Sequence, residues 1–158
     1  MVVPDFSCPA VLNDTIYRLQ LSDLLQSNKA VVLFFYPCDF TPIAAKDIEL
    51  IQNNIQRLES LSTYPLGISP DTENVHLAYA NQGLNSPPLF PLVADTTRSL
   101  SRHFNVMNQK TGLFYRAAFV IDKTRQVRFS FILEDDRITH SIDTICAVVS
   151  TLLFLLVP

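Results

Sequence analysis

Tryptophan is absent from this 158-residue chain, and glycine and cysteine occur only three times each. So few glycines mean that most turns must be built from proline, asparagine and aspartate. Cys8, Cys38 and Cys146 have no metal-type spacing, and no Cys-x-x-Cys occurs, which argues against a dithiol oxidoreductase. Free thiols in a reducing compartment are the expectation, with Cys146 a small buried hydrophobe on a helix and Cys8 an ordinary thiol unless it bridges subunits. The three histidines, His76, His103 and His140, also lack ligand spacing and are expected at the surface or at helix caps; no metal or cofactor is expected.

Runs of positive charge are missing as well. Twelve lysines and arginines are scattered through a chain of net charge −3 and pI near 5.5, which leaves no field for a phosphate backbone and excludes nucleic acid as an expected partner. No apolar run approaches the ~20 residues that cross a bilayer. The most apolar stretch, TLLFLLVP at 151–158, is read as the buried end of a helix or an oligomer contact, and no membrane association is expected. Pro4, Asp5 and Pro9 interrupt the N-terminal stretch where a secretory signal would need an apolar core. The expected location is the cytoplasm, or an organelle stroma for a mature chain.

What is present is an alternation of strands and helices. AVVLFFY (30–36) is a continuous apolar run rich in β-branched and aromatic residues, which suits a central strand covered on both faces. Ile48, Ile51, Ile55 and Leu58 then recur at helical spacing, predicting one helix that starts near Thr41 and Pro42. YPLGIS (64–69) reads as a strand, 71–82 as a helix capped by Asp71, LFPLVAD (89–95) as a strand, and 98–104 as a short helix. RAAFVID (116–122) and QVRFSFIL (126–133) form a hairpin, the acidic stretch Glu134, Asp135 and Asp136 a solvated turn, and Ile142, Ile145, Cys146 and Val149 start a last helix. LSDLLQ (21–26) fits a short helix or turn. The sum is a single α/β domain over 1–158, with a central mixed sheet and helices on both faces.

The residues after the central strand carry a resemblance. PCDFTPIAAKD (37–47) is similar to the active-site loop of the peroxiredoxins, the alkyl hydroperoxide reductase/thiol-specific antioxidant type, and most of all to the peroxiredoxin Q or bacterioferritin-comigratory group. The loop of that group runs Pro, x, Asp, x, Thr, Pro, x, Cys, Thr, Lys, Glu. Pro37, Asp39, Thr41, Pro42 and Lys46 match it, Asp47 replaces the glutamate, and PDFSCPAVL, VVLFFYP, GISPD, FPLVAD and RAAFVID extend the likeness along nearly the whole chain.

The resemblance implies a thioredoxin-like fold and thiol-dependent reduction of hydrogen peroxide or alkyl hydroperoxides, with thioredoxin or a similar thiol as donor and a monomer or homodimer as the assembly. It assigns Thr41 to orient the peroxide, Pro37 to shield the site and Arg116 to lower the thiol pKa, helped by the helix N-terminus. The peroxidatic cysteine position, however, is Ala44, and the resolving position five residues on is Glu49. Alanine offers no lone pair and no redox chemistry, so the chain as written is expected to be inactive at that position. The group's glycine is Ile43, a branched side chain where backbone should approach the peroxide. Three readings follow: an enzyme whose cysteine at 44 was replaced by engineering, a non-catalytic module for binding or oligomerisation, and Cys38 as a relocated nucleophile. The last is disfavoured because Cys38 precedes the helix and lacks its dipole.

Overall fold

The computed structural model describes residues 1–155, with side chains followed as far as Leu152. The chain opens with a hairpin that the sequence reading lacks, β1 (Ser7–Leu12) and β2 (Thr15–Gln20), paired antiparallel with Leu12 opposite Thr15. Asn13 and Asp14 link them, both at positive φ (53° and 60°), the two-residue turn whose twist matches paired strands. Asn-Asp between two short alternating runs was the available signal. Helix α1 (Leu21–Ser27) follows directly and buries Leu21 and Leu25.

Strand β3 (Ala30–Phe35) is buried at all six positions, as its unbroken apolar run predicts. It pairs parallel with β4 (Thr63–Ser69) and antiparallel with β6 (Arg116–Asp122). With β5 (Leu92–Ala94) and β7 (Val127–Leu133) the sheet runs β2-β1-β5-β4-β3-β6-β7. Alternate side chains of β3 feed two cores. Val31, Leu33 and Phe35 pack with Leu21, Leu25, Leu100 and Phe104, whereas Ala30, Val32 and Phe34 pack with Ile48, Ile51, Leu58 and Val149. Helices therefore cover both faces, and each buried aliphatic or aromatic side chain contributes roughly 1.5–3 kcal/mol.

The predicted long helix is two: α2 (Pro42–Asn53) and α3 (Ile55–Ser60). The break is chemical. Asn54 gives its side-chain amide to the Leu50 carbonyl (2.8 Å), and its backbone N–H turns instead to Ile51 O (3.0 Å). The helix expected at 71–82 begins at α4 (Glu73–Ala78) with Thr72, not Asp71, as cap, and widens into a π-turn over Tyr79–Gly83. Asp71 is occupied elsewhere, accepting from the Ser69 hydroxyl and from the Asp39 N–H. The strand expected at 89–95 shortens to β5, because Pro91 has no N–H to give the ladder. Helix α5 (Ser99–His103), the β6–β7 hairpin and α6 (Ile142–Leu155) lie where the pattern put them, and Cys146 is buried. The reading of the final apolar run lies largely outside the described residues. Among those described, no helix is long and apolar enough to cross a membrane.

Candidate active site

The end of β3 delivers the loop 36–41 to the start of α2. Phe40 takes a left-handed conformation (φ 59°), uncommon for a bulky residue, and its ring leans on Tyr79 at 4.9 Å. Thr41 then caps α2: its hydroxyl donates to the Cys38 carbonyl (3.0 Å) and accepts from the Ala44 N–H (3.3 Å). Pro42 occupies the first helical position, where a missing N–H costs nothing. Ala44 is fully buried one turn into the dipole of the helix, and Pro37 is half-buried in the loop.

Three residues beyond Ala44, hence on the same helix face, Asp47 is buried and meets Arg116, which is 2% exposed. The guanidinium forms a fork on this carboxylate, Nε to Oδ2 and Nη2 to Oδ1, both at 2.7 Å. Its Nη1 donates to the carbonyls of Ile138 (2.9 Å) and Asp135 (3.4 Å). Asp47 holds the Arg116 proton more tightly, raising its pKa. The Arg116 charge is thus balanced by Asp47. Lys46, Asp136, Pro42 and Ile43 line a shallow pocket of about 410 Å³.

Glu49 stands apart from this arrangement, and Cys38 takes part through its carbonyl, which accepts from Thr41. Burial, then Asp71 and Asp39, push the Cys38 thiol above its ordinary pKa, which works against a reactive thiolate. Glu49 is exposed on α2 and lines a separate groove with Gln52, Asn85 and Pro88.

A family model described as the AhpC/TSA family matches residues 2–130. The chain belongs to the AhpC/TSA family of peroxiredoxins. It is 39% identical over 123 residues to peroxiredoxin-2 of Cricetulus griseus, an alignment that covers 75% of this chain and 61% of that protein. It is 35% identical over 144 residues to peroxiredoxin-2 of Mus musculus (89% and 71%) and 35% over 133 residues to the chloroplastic 2-Cys peroxiredoxin BAS1 of Spinacia oleracea (82% and 50%). This chain therefore spans between half and about seven-tenths of these curated relatives. Among solved structures, Enterococcus faecalis AhpC superposes with a TM-score of 0.87 at 25% identity, covering 98% of this chain and 91% of that one. The reduced 2-Cys peroxiredoxin of Plasmodium vivax gives 0.87 and 25%, covering 97% and 80%. The thioredoxin-like peroxiredoxin fold follows.

This AhpC/TSA chain also buries two histidines that its sequence suggested would be at the surface or at caps. His76 is wholly buried, with Nδ1 2.6 Å from Asp39 Oδ2 and Nε2 3.0 Å from the Val93 carbonyl. Tyr36 donates to the other oxygen of Asp39 at 2.6 Å, and burial beside that carboxylate raises the phenol pKa. Asp39 thereby braces the loop internally through Tyr36 and ties it to α4 through His76, whose other nitrogen reaches β5. The signal was His76 itself, in helical phase with buried Tyr79 and Ala80. His140 is 5% exposed and stands with Nε2 3.9 Å from Asp47 Oδ2; no periodicity marked it. His103 is exposed as expected. Among the described residues, no cluster of His, Cys, Asp or Glu could hold a metal ion.

Proposed function

We propose that this AhpC/TSA chain keeps the scaffold of a thiol-peroxidase site and lacks the thiol that would run it. The observation that carries this reading is Ala44, buried in the first turn of α2 above the Thr41 cap and one turn from the Asp47–Arg116 pair. A cysteine there would sit on the helix dipole; a methyl group cannot attack a peroxide. Cys38 is no substitute, because its surroundings favour the neutral thiol. Pro37, Thr41 and Arg116 remain as the peroxide-binding frame, and Glu49 leaves α2 without a resolving thiol. The chain then acts by binding, as a peroxiredoxin-fold module. The names of the relatives support descent from 2-Cys peroxiredoxins more than from the peroxiredoxin Q group that the loop motif suggests.

A second reading, an enzyme whose cysteine at 44 has been replaced, shares every feature except Ile43 and Glu49, which such a replacement leaves unexplained. Hydrogen peroxide consumption coupled to thioredoxin and its reductase tests both. The chain as it stands is expected to give only the uncatalysed background, and turnover above it would refute the proposal. Ala44→Cys separates the readings: thioredoxin-dependent turnover returns if only the thiol was lost, and stays absent if Ile43 has closed the pocket.

A further inference from the structure

His76 makes two hydrogen bonds that a neutral imidazole cannot make together. Its Nδ1 stands 2.6 Å from Asp39 Oδ2 and its Nε2 3.0 Å from the Val93 carbonyl, and the ring is wholly buried. A carbonyl oxygen only accepts, so Nε2 carries a proton in that contact; an ionised carboxylate also only accepts, so Nδ1 carries another. With a single N–H, the ring would set a lone pair against one of the two oxygens at direct hydrogen-bond distance, and a buried contact of that kind is costly.

The charges around the ring call for a cation. Asp39 is buried, and among the described residues no lysine or arginine bonds to it; its other oxygen accepts from the Tyr36 hydroxyl at 2.6 Å. Asp71 joins the same network, its Oδ2 accepting from the Asp39 N–H (2.7 Å) and the Ser69 hydroxyl (2.6 Å). Tyr36, Tyr79 and the Cys38 thiol are weak acids whose ionisation is disfavoured by burial and by these two carboxylates. On α4 itself, Glu73 stands one turn before His76. Of the strands packed on α4, β5 carries no titratable side chain, and Asp95 just beyond it is engaged by the Leu100 and Ser101 N–H groups. Strands β1 and β2 bring Cys8, Tyr17 and Arg18, and the exposed Arg18 guanidinium is bonded to Ser7. A buried carboxylate without a counterion is costly, and His76 is in hydrogen-bond contact to supply one.

We propose that His76 is an imidazolium in the folded chain and forms with Asp39 a buried ionic clasp that fastens the site loop for as long as both ring protons are kept. Asp39 lies two residues before the Thr41 cap, so the clasp fixes the stretch of chain that leads into α2. Loss of the Nδ1 proton sets the ring against the Asp39 carboxylate, and loss of the Nε2 proton opens the contact with Val93. Alkali therefore releases the loop, and moderate acid leaves it closed. No part of this depends on which residue stands at position 44, so the clasp and the reading of the site as thiol-free are tested separately.

Imidazole 15N resonances of the full chain, labelled at histidine and assigned sequentially, report the two protons directly. At about pH 7.5, where a free histidine has one bare nitrogen, both His76 nitrogens are expected to resonate as N–H nitrogens. A bare Nδ1 there would overturn the proposal, whether the ring is neutral or the proton sits on Asp39. Asp39→Asn keeps the shape, removes the charge and offers an N–H; it should turn Nδ1 into a bare acceptor, and an imidazolium that persisted would show that Asp39 is not its counterion. As pH is raised, the Asp39 amide should lose at least about tenfold of its exchange protection, beyond the intrinsic rise, over the interval in which His76 gives up its proton. Protection unchanged through that interval would show that the proton does not hold the loop. The 15N and exchange measurements need only the unmodified chain, so they decide even if Asp39→Asn fails to fold.

Discussion

Arg116 and Asp47 form a buried, forked ion pair, and such pairs are most consequential when one partner is removed. Asp47→Ala leaves a guanidinium in an apolar surround with two of its donors unpaired, and is expected to lower unfolding stability by about 3–5 kcal/mol in a denaturant titration. Replacing both partners with apolar residues should cost less than the two single changes summed, since neither charge is then stranded. His140 carries a pH signature at the same scale. Its folded pKa, about 4, lies below the ordinary 6.5, so between these values the unfolded chain binds the proton and the folded chain does not. Stability is therefore full above pH 6.5 and declines as pH falls toward 4, by on the order of 3 kcal/mol from this group. His140→Gln should flatten that part of the stability–pH curve; an unchanged slope would mean that the ring titrates normally.

At the scale of elements, the turns and caps decide where the site sits. Gly83 closes the π-turn after α4 against two aromatic rings. A Cβ there would meet Tyr79 Cδ1 at 2.4 Å and Phe40 Cε1 at 2.9 Å. Gly83→Ala is therefore expected to cost about 1–3 kcal/mol and to move Phe40, which near-ultraviolet circular dichroism and a thermal melt would register together. Because Phe40 immediately precedes the Thr41 cap, the disturbance should reach the start of α2. The element reading of the sequence succeeded where the signal was a period: β3, β6, β7 and α6 were legible from runs of apolar residues. Element ends escaped it where a side-chain hydrogen bond, not apolar spacing, sets the boundary. Asn54 splits a helix whose apolar spacing continues unbroken, and Asp71 gives up a cap for a tertiary bond to Asp39. Neither choice alters hydrophobic periodicity, so periodicity could not report it.

In the whole molecule, β3 lies between a parallel and an antiparallel neighbour and feeds both cores, while β2 and β7 are the sheet edges. Native-state hydrogen exchange should find the slowest amides in β3 and β6, opening only with global unfolding, and faster ones in β2. Comparable protection in β2 would mean that its outer edge is covered in solution.

The layered α/β architecture and the family were legible in the sequence alone, as was Ala44 in the motif of the proposed site loop, because these rest on local order: apolar period, a motif read in register and the identity of one residue. The partners of that loop were decided only by the tertiary structure. Asp47 with Arg116 and Asp39 with His76 join residues 69 and 37 positions apart, and His140 is buried beside Asp47 from 93 positions away. Such meetings are made by the packing of helices on a sheet, and their polar atoms are buried at a cost that only the completed fold offsets.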